Sequence, residues 1–429
     1  MSKYQTSLSF LYSLTAMNPR WSTEPARKFL NLLGQPDKGF ASIIVSGTVG
    51  KGSTCAFLEK VLRQAGYKTG LYISPHLSDF RERIQVNGQM ISKTEVINLA
   101  NIVKQIIKDH RLQLSFHEAL LPLACFYFQK KKVDIAILEV GMGGRLDAVN
   151  AVESILSIIT NIDYDHTQYL GSSLSEIARE KFAISRPGRT LVTAARGEGL
   201  KEIKSLAEAS KVNLRLVSLI KARDDFSSFV YRGKNRKAGL LGCHQYRNAA
   251  VAIEAIEELK QLSFKIGEQA LSTGLETAAW PGRFEVLDQV ILDCAHNPAG
   301  LEAFLKTLRS FRNKFKPNRI LCLFGVSYPV GLKEIDVVKV KQMVKLLEAE
   351  KFDQIILSQS DYRGIEVKQL CNFFKTKTSI ALISNARLAV KKILVNLDKK
   401  DLLVITGSIF LVGEVRPALL LLTGPKKSR

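Results

Sequence analysis

Short β-branched runs alternate along this chain with longer segments whose apolar residues recur every three or four positions, the pattern of strands and amphipathic helices laid in turn. The pattern predicts strand Ile43–Val45, a helix through Phe57, Leu58, Val61 and Leu62 opened by Ser53-Thr54, strand Gly70–Ile73, and helices Thr94–Asp109 and Ala119–Phe128. Strands Val133–Val140 and Ile155–Ile162, helix Leu174–Ile184, strands Arg189–Ala195 and Leu214–Leu219, a polar hairpin-like stretch over 224–240 and helix Ala249–Leu259 follow. Trp280-Pro281-Gly282-Arg283 punctuates the chain, and a second series begins: strand Val290–Asp293, helix Leu301–Leu308, strand Ile320–Phe324, helix Val337–Leu347, strands Gln354–Leu357 and Ile380–Ser384, helix Ala386–Leu397, strand Leu402–Thr406. Strand and helix in alternation predict a parallel sheet covered on both faces in each half, hence two doubly wound α/β domains meeting near residues 280–285.

The polar residues gather at the strand ends, where such sheets bind ligands. Ser46-Gly47-Thr48-Val49-Gly50-Lys51-Gly52-Ser53-Thr54 joins a strand to a helix. Its glycines let successive N–H groups face one anion, the helix N-terminus adds partial positive charge and Lys51 a full one, while Ser53 or Thr54 offers a hydroxyl to magnesium. The strict pattern G-x-x-x-x-G-K-[ST] is not met, because Val45 stands at its first glycine and Gly52 follows the lysine. Ser74 and His76 end the second strand. Glu139 ends the third, where burial demands a metal or a partner such as Arg145. Asp165-His166, Asp293 to Pro298 and Thr406-Gly407-Ser408 repeat the arrangement. Read alone, Lys181 is a solvated lysine on a charged helix face and Asn248 an N-cap.

Composition adds limits. The 429 residues are 46% apolar and 24% charged, a globular balance too long for one core. The N-terminus lacks a continuous signal-peptide core, and no run approaches a membrane span, so a soluble cytoplasmic protein is expected. Six scattered cysteines without a C-x-x-C pair predict neither disulfides nor a zinc site, and Cys294 reads as a small buried residue. The net charge of +22 comes in small groups without interleaved aromatics, which favours solvated faces and anionic small substrates over nucleic acid.

The ordered set of these motifs resembles the folylpolyglutamate synthase and dihydrofolate synthase family of the Mur ligase superfamily. The set comprises the loop 46–54, Ser74-Pro75-His76-Leu77 with Glu82-Arg83-Ile84, Glu139-Val140-Gly141-Met142-Gly143-Gly144-Arg145-Leu146-Asp147, Asp165-His166, Glu180-Lys181, His244-Gln245 with Asn248, Trp280 to Arg283, Asp293 with Ala295-His296-Asn297, and Thr406-Gly407-Ser408. The resemblance runs from about residue 20 to about 415. It implies an N-terminal P-loop-type ATPase domain (1–282) and a smaller C-terminal Rossmann-like glutamate-ligase domain (283–429). The implied reaction is ATP-dependent amide formation between L-glutamate and the carboxylate of dihydropteroate, of a folate, or of both, through an acyl phosphate.

By the same resemblance Gly47, Thr48, Gly50, Lys51, Gly52, Ser53 and Thr54 hold phosphates, and Asn248, Arg283, Asp293 and His296 contact the nucleotide. Ser74 and Glu139 match ligands of one magnesium, Glu139 and His166 of a second. Lys51, Lys181, His166 and Arg283 match catalytic positions, Lys181 as a carbamate. Arg83, Glu118, Arg145, Asp147 and Ser408 match substrate positions. The expected partners are small molecules, with no nucleic acid and no membrane, and the expected state is a monomer. Three departures stand out: Val49 where family loops carry asparagine, Cys294 where a smaller residue is common, and Lys333 as a loose match to an aspartate-lysine-aspartate element. They keep open two other readings, a Mur-type ligase for another carboxylate and a catalytically weakened nucleotide-binding homologue.

Overall fold

The computed structural model describes residues 1–14, 22–223, 227–329, 334–375 and 379–423. Two compact units divide the chain, one formed by 1–221, 229–239 and 245–279, the other by 222–228, 240–244 and 280–429. The second therefore takes two short stretches from before the Trp280 punctuation.

In the first unit, α1 (Lys3–Ser13) and α2 (Glu24–Leu32) precede β1 (Ala41–Ser46), α3 (Lys51–Gln64), β2 (Thr69–Tyr72), β3 (Ile84–Val86) and β4 (Gln89–Met90). Next come α4 (Lys93–His110), α5 (Phe116–Lys130), β5 (Ile135–Glu139), β6 (Leu156–Ile159), α6 (Thr167–Leu170), α7 (Leu174–Phe182), β7 (Thr190–Thr193), α8 (Gly197–Ala209) and β8 (Asn213–Leu216). After a short β9 (Lys221–Ala222) and the hairpin β10 (Ser228–Tyr231) and β11 (Lys234–Lys237), α9 (Cys243–Gln261) and α10 (Glu268–Thr277) close the unit.

The large sheet has the order β4-β3-β2-β5-β1-β6-β7-β8. Strands β2, β5, β1, β6, β7 and β8 run parallel. Since β1 lies between β5 and β6, the chain leaves it in opposite directions on its two sides, and the loop after β1 opens at that switch point. The run Ile43-Ile44-Val45 has no exposure on either face, as a strand covered by helices on both sides requires.

In this unit the sequence pattern missed α1, α2, α6, α8 and α10, and placed most element ends a few residues off. Helix α3 begins at Lys51 rather than at Ser53. It is sealed by α10, whose Gly274 lies so close that a Cβ there would meet Val61 Cα at 2.5 Å. The turn dipeptide Asn87-Gly88 joins β3 to β4 with φ of 50° and 71°, both left-handed, the geometry that matches hairpin twist.

In the second unit, β12 (Glu285–Leu287), β13 (Val290–Leu292), α11 (Pro298–Phe315), β14 (Ile320–Phe324), α12 (Val337–Glu348), β15 (Gln354–Gln359), α13 (Val367–Cys371), β16 (Ser379–Asn385), α14 (Ala386–Val395), β17 (Leu402–Thr406) and α15 (Ile409–Thr423) build a sheet of order β12-β13-β17-β14-β15-β16. All neighbours but β12 and β13 are parallel. Leu301, Phe304 and Leu308 of α11 and Val340, Met343, Val344 and Leu347 of α12 cover one apolar core with β13, β14 and β17. Lys333 lies outside the described residues.

Candidate active site

The loop after β1 turns on two glycines with positive φ, Gly47 at 139° and Gly50 at 85°. A Cβ on Gly47 would lie 1.9 Å from Thr160 Oγ1, and one on Gly50 2.3 Å from Asn248 Oδ1. The loop's partners come from the end of β6. Thr48 N–H and Val49 N–H both donate to Asn161 Oδ1 at 3.1 and 2.9 Å. Thr160 Oγ1 donates to Val49 O at 2.7 Å, and Thr48 Oγ1 donates to Asp163 O at 3.0 Å. This corrects one sequence expectation, because two of the loop's amides face a side chain of the protein rather than an incoming anion. The first N–H groups of α3 lack carbonyl partners within the helix, as at any helix start. Lys51 Nζ folds back to Gly47 O and Thr48 O at 2.9 and 3.3 Å.

Lys181 is the clearest departure from the reading of its residue type alone. It is 3% exposed, and its Nζ donates to the same Gly47 O at 3.1 Å. Burial, with Lys51 nearby, lowers its pKa from the usual lysine range to about 7.

Register brings Glu139 to the loop, since Val45 pairs with Glu139 and Val140 N–H donates to Val45 O. Glu139 is 6% exposed, and its Oε2 accepts Ser74 N–H at 3.3 Å. The Glu139–Arg145 pair allowed by the sequence is not formed: Arg145 pairs with Glu180 at 2.8 Å. Arg83 is 7% exposed, with its Nε donating to His76 Nδ1 at 2.8 Å and its guanidinium over the Phe116 ring. Burial lowers the Arg83 pKa, and burial together with this guanidinium lowers that of His76 to about 4, so the imidazole stays a neutral acceptor.

The glycine loop after β5 is fastened on three sides. Asp147 accepts N–H groups of Gly141, Met142 and Val149, Ser46 Oγ donates to Gly143 O at 2.7 Å, and Arg145 N–H donates to Glu180 O at 2.8 Å. A cleft of about 240 Å³ lies here, lined among others by Arg145, Leu146, Asp147, Gln168, Tyr169 and Glu180. Glu118 closes the capping box of α5, accepting Ser115 N–H at 2.7 Å. His166 begins α6 with φ 49°, its Nε2 4.0 Å from Asp165 Oδ1.

Asn248 is not an N-cap. It lies inside α9, 8% exposed, its Nδ2 donating to Gln245 Oε1 at 2.9 Å and its Oδ1 facing Gly50. In the second unit Asp293 follows β13 and accepts N–H groups of Phe284 and Ala295 at 2.8 and 2.9 Å. Burial raises its pKa to about 6 against the opposing pull of Arg283 and these bonds. His296 is exposed, its Nδ1 2.9 Å from Cys294 O, and Cys294 is buried as expected. Ser408 is 2% exposed, 2.6 Å from Ser327 Oγ, and accepts N–H groups at the start of α15.

Among the described residues no three His, Cys, Asp or Glu side chains cluster as a ready metal site. The residues at the loop nonetheless fit a hard divalent cation that keeps phosphate and water ligands. Glu139 supplies a carboxylate beside Ser74, and Thr54 Oγ1 is buried without a hydrogen-bond partner among the described residues. Sequence reasoning missed Asn161 and Thr160 as the template of the phosphate loop, although Asn161 stood in the polar cluster at the end of its strand.

Two family models match: the Mur ligase middle domain over residues 45–256, and the Mur ligase glutamate ligase domain over 282–409. The dihydrofolate synthase/folylpolyglutamate synthase of Bacillus subtilis is 32% identical, with 97% of this chain and 99% of that protein covered. A probable bifunctional folylpolyglutamate synthase/dihydropteroate synthase of Haloferax volcanii is 30% identical over the whole chain, which spans about half of that relative, 52% of its length. Among solved structures, E. coli FolC in complex with DHPP and ADP superposes with a TM-score of 0.84 at 26% identity, covering 99% of both chains. A bifunctional folylpolyglutamate synthase/dihydrofolate synthase of Yersinia pestis with AMPPNP and a Mn ion gives 0.82 at 26% identity and 98% coverage of each. The phosphate loop, the strand-end carboxylate, the buried lysine and these matches together make the chain a member of the dihydrofolate synthase/folylpolyglutamate synthase family of Mur ligases.

Proposed function

We propose that this protein is an ATP-dependent ligase that joins L-glutamate through an amide bond to the carboxylate of dihydropteroate, of a folate, or of both. The observation that carries this reading is the convergence of Lys51 and Lys181 on Gly47 O, with Glu139 on the neighbouring strand: two amines and a buried carboxylate around one phosphate loop. A carboxylate does not acylate an amine at neutral pH, because its oxygen is a poor leaving group. Transfer of the γ-phosphoryl group from ATP to that oxygen gives an acyl phosphate and ADP. The glutamate amine then attacks the acyl carbon, the amide bond forms, and phosphate leaves with the C–O bonding pair.

The chain's contribution is positioning and charge neutralisation. Lys51 and the first amides of α3 hold the phosphates. Arg83, kept in place by His76, orients the acceptor carboxylate, and Asn248 backs the turn at Gly50. Magnesium, as two ions, would be held by Ser74 with Glu139 and by Glu139 with His166, and would offset phosphate charge. A pKa of about 7 leaves part of the Lys181 amine neutral and free to add CO2, forming the N–C bond of a carbamate with release of one proton, so that a neutral amine becomes an anion. Asp293, Arg283 and His296 are assigned to nucleotide binding and Ser408 to glutamate binding by the family resemblance alone.

Val49 does not favour the weakened-homologue reading. Its N–H and carbonyl are both held, by Asn161 and Thr160, so its place in the loop depends on backbone rather than side chain.

The test is glutamate-dependent phosphate release from ATP and magnesium, with dihydropteroate and with a reduced folate as separate acceptors. Lys51→Ala and Glu139→Ala should each lower kcat by about 10³-fold with unchanged circular dichroism, the scale of a lost transition-state charge contact. Release with neither acceptor by the parent protein would overturn the proposal, and full activity in Glu139→Ala would overturn the metal assignment.

A further inference from the structure

We propose that Asn161 is a positioning residue of the nucleotide site, an internal clamp that holds the phosphate loop in its binding shape before any nucleotide arrives. This rests on the reading of the loop as an ATP site.

A loop turning twice through positive φ is costly to order, and each N–H turned inward needs an acceptor. The single Oδ1 of Asn161 accepts from two consecutive amides, Thr48 at 3.1 Å and Val49 at 2.9 Å, and its own carbonyl accepts Thr48 N–H again at 3.2 Å. The residues on either side close the template. Thr160 Oγ1 bonds Val49 O and fills the space any side chain at Gly47 would need, while the Asp163 backbone takes and gives a hydrogen bond at Thr48 Oγ1. Residues 47–49 are thus copied from the shape of 160–163.

The consequence reaches the charge at the site. Lys51 Nζ and Lys181 Nζ both hang on Gly47 O, and Lys51 also on Thr48 O, so the carbonyls that aim both amines belong to the peptides Asn161 fixes. The same segment continues two residues later into Asp165-His166. Asn161 therefore acts through the loop: its amide oxygen is turned to the loop's amides and has no part in the chemistry.

The experiment compares the parent protein with Asn161→Ala and Asn161→Asp by ADP titration calorimetry, by steady-state kinetics for ATP and for glutamate, and by thermal unfolding. The aspartate keeps an acceptor on the same atom and reports whether acceptance or mere bulk is needed. In Asn161→Ala, ADP Kd and ATP KM should both rise about 10-fold or more, the effect of losing a shared buried acceptor. Glutamate KM should stay within about 2-fold, because the loop is not expected to touch that substrate. Asn161→Asp should bind ADP more tightly than Asn161→Ala. Equal ADP affinity in parent and Asn161→Ala would overturn the proposal, and tighter binding in Asn161→Ala would overturn it in favour of a plug that ATP must displace. A uniform loss in both KM values with a lowered melting temperature would reduce Asn161 to a general stabilising contact. Absence of ADP binding by the parent would instead sink the ATP-site reading itself.

Discussion

Single residues here carry charges and protonation states that their types do not advertise. His244 is half-buried beside Arg283, and burial with that cation lowers its pKa to about 4. The folded protein keeps this imidazole neutral where the unfolded chain binds a proton, so the residue's contribution to stability is present above pH 6.5 and is lost as pH falls toward 4. The shift from 6.5 to about 4 corresponds to roughly 3 kcal/mol. Urea unfolding of His244→Gln should lose about that much less stability than the parent between pH 6.5 and pH 4. Nothing in the letters around His244 or Lys181 signals such shifts. Both depend on what packs over the side chain from distant parts of the sequence, which is why Lys181 reads as solvated by helix-face pattern and proves to be 3% exposed. The residues of the phosphate loop were legible because glycine and lysine at fixed spacing carry their chemistry locally; its clamp, Asn161, was not, because the contact spans more than a hundred positions.

At the scale of elements, the strands and the larger helices were legible wherever one periodicity ran unbroken, as in β14 and β17, whose bounds match the apolar runs. Helices α8 and α10 were not, because small and polar residues dilute their apolar faces and only the neighbour they cover makes sense of them. The α9 start was also misread: the helix begins at Cys243, so Asn248 lies in its second turn, where it faces inward to Gly50. That contact joins two elements tightly enough to test. Gly50→Ala forces both a left-handed alanine and a Cβ 2.3 Å from Asn248 Oδ1. Thermal unfolding should show a loss of about 2–3 kcal/mol, and adding Asn248→Ala should recover the steric part while leaving the backbone part of about 1 kcal/mol.

Over the whole molecule the net charge of +22 outweighs any one site. All the proposed substrates are anions, so this field raises their local concentration, and salt screens it over a Debye length of about 10 Å at 0.1 M. Raising ionic strength from about 0.05 to about 0.5 M should therefore raise KM for ATP and for folates with several glutamates, with kcat changing less. No helix among the described residues is long and apolar enough to cross a membrane. The order of the smaller sheet has its own consequence. Strand β17, last in the chain, is bonded on both sides, to β13 and to β14, which come off the ribosome long before it. The two early strands cannot take their final spacing until the late one slides between them. The smaller sheet thus cannot close until Thr406 has been made, and until then β13 and β14 each leave a flank open to unwanted strand pairing.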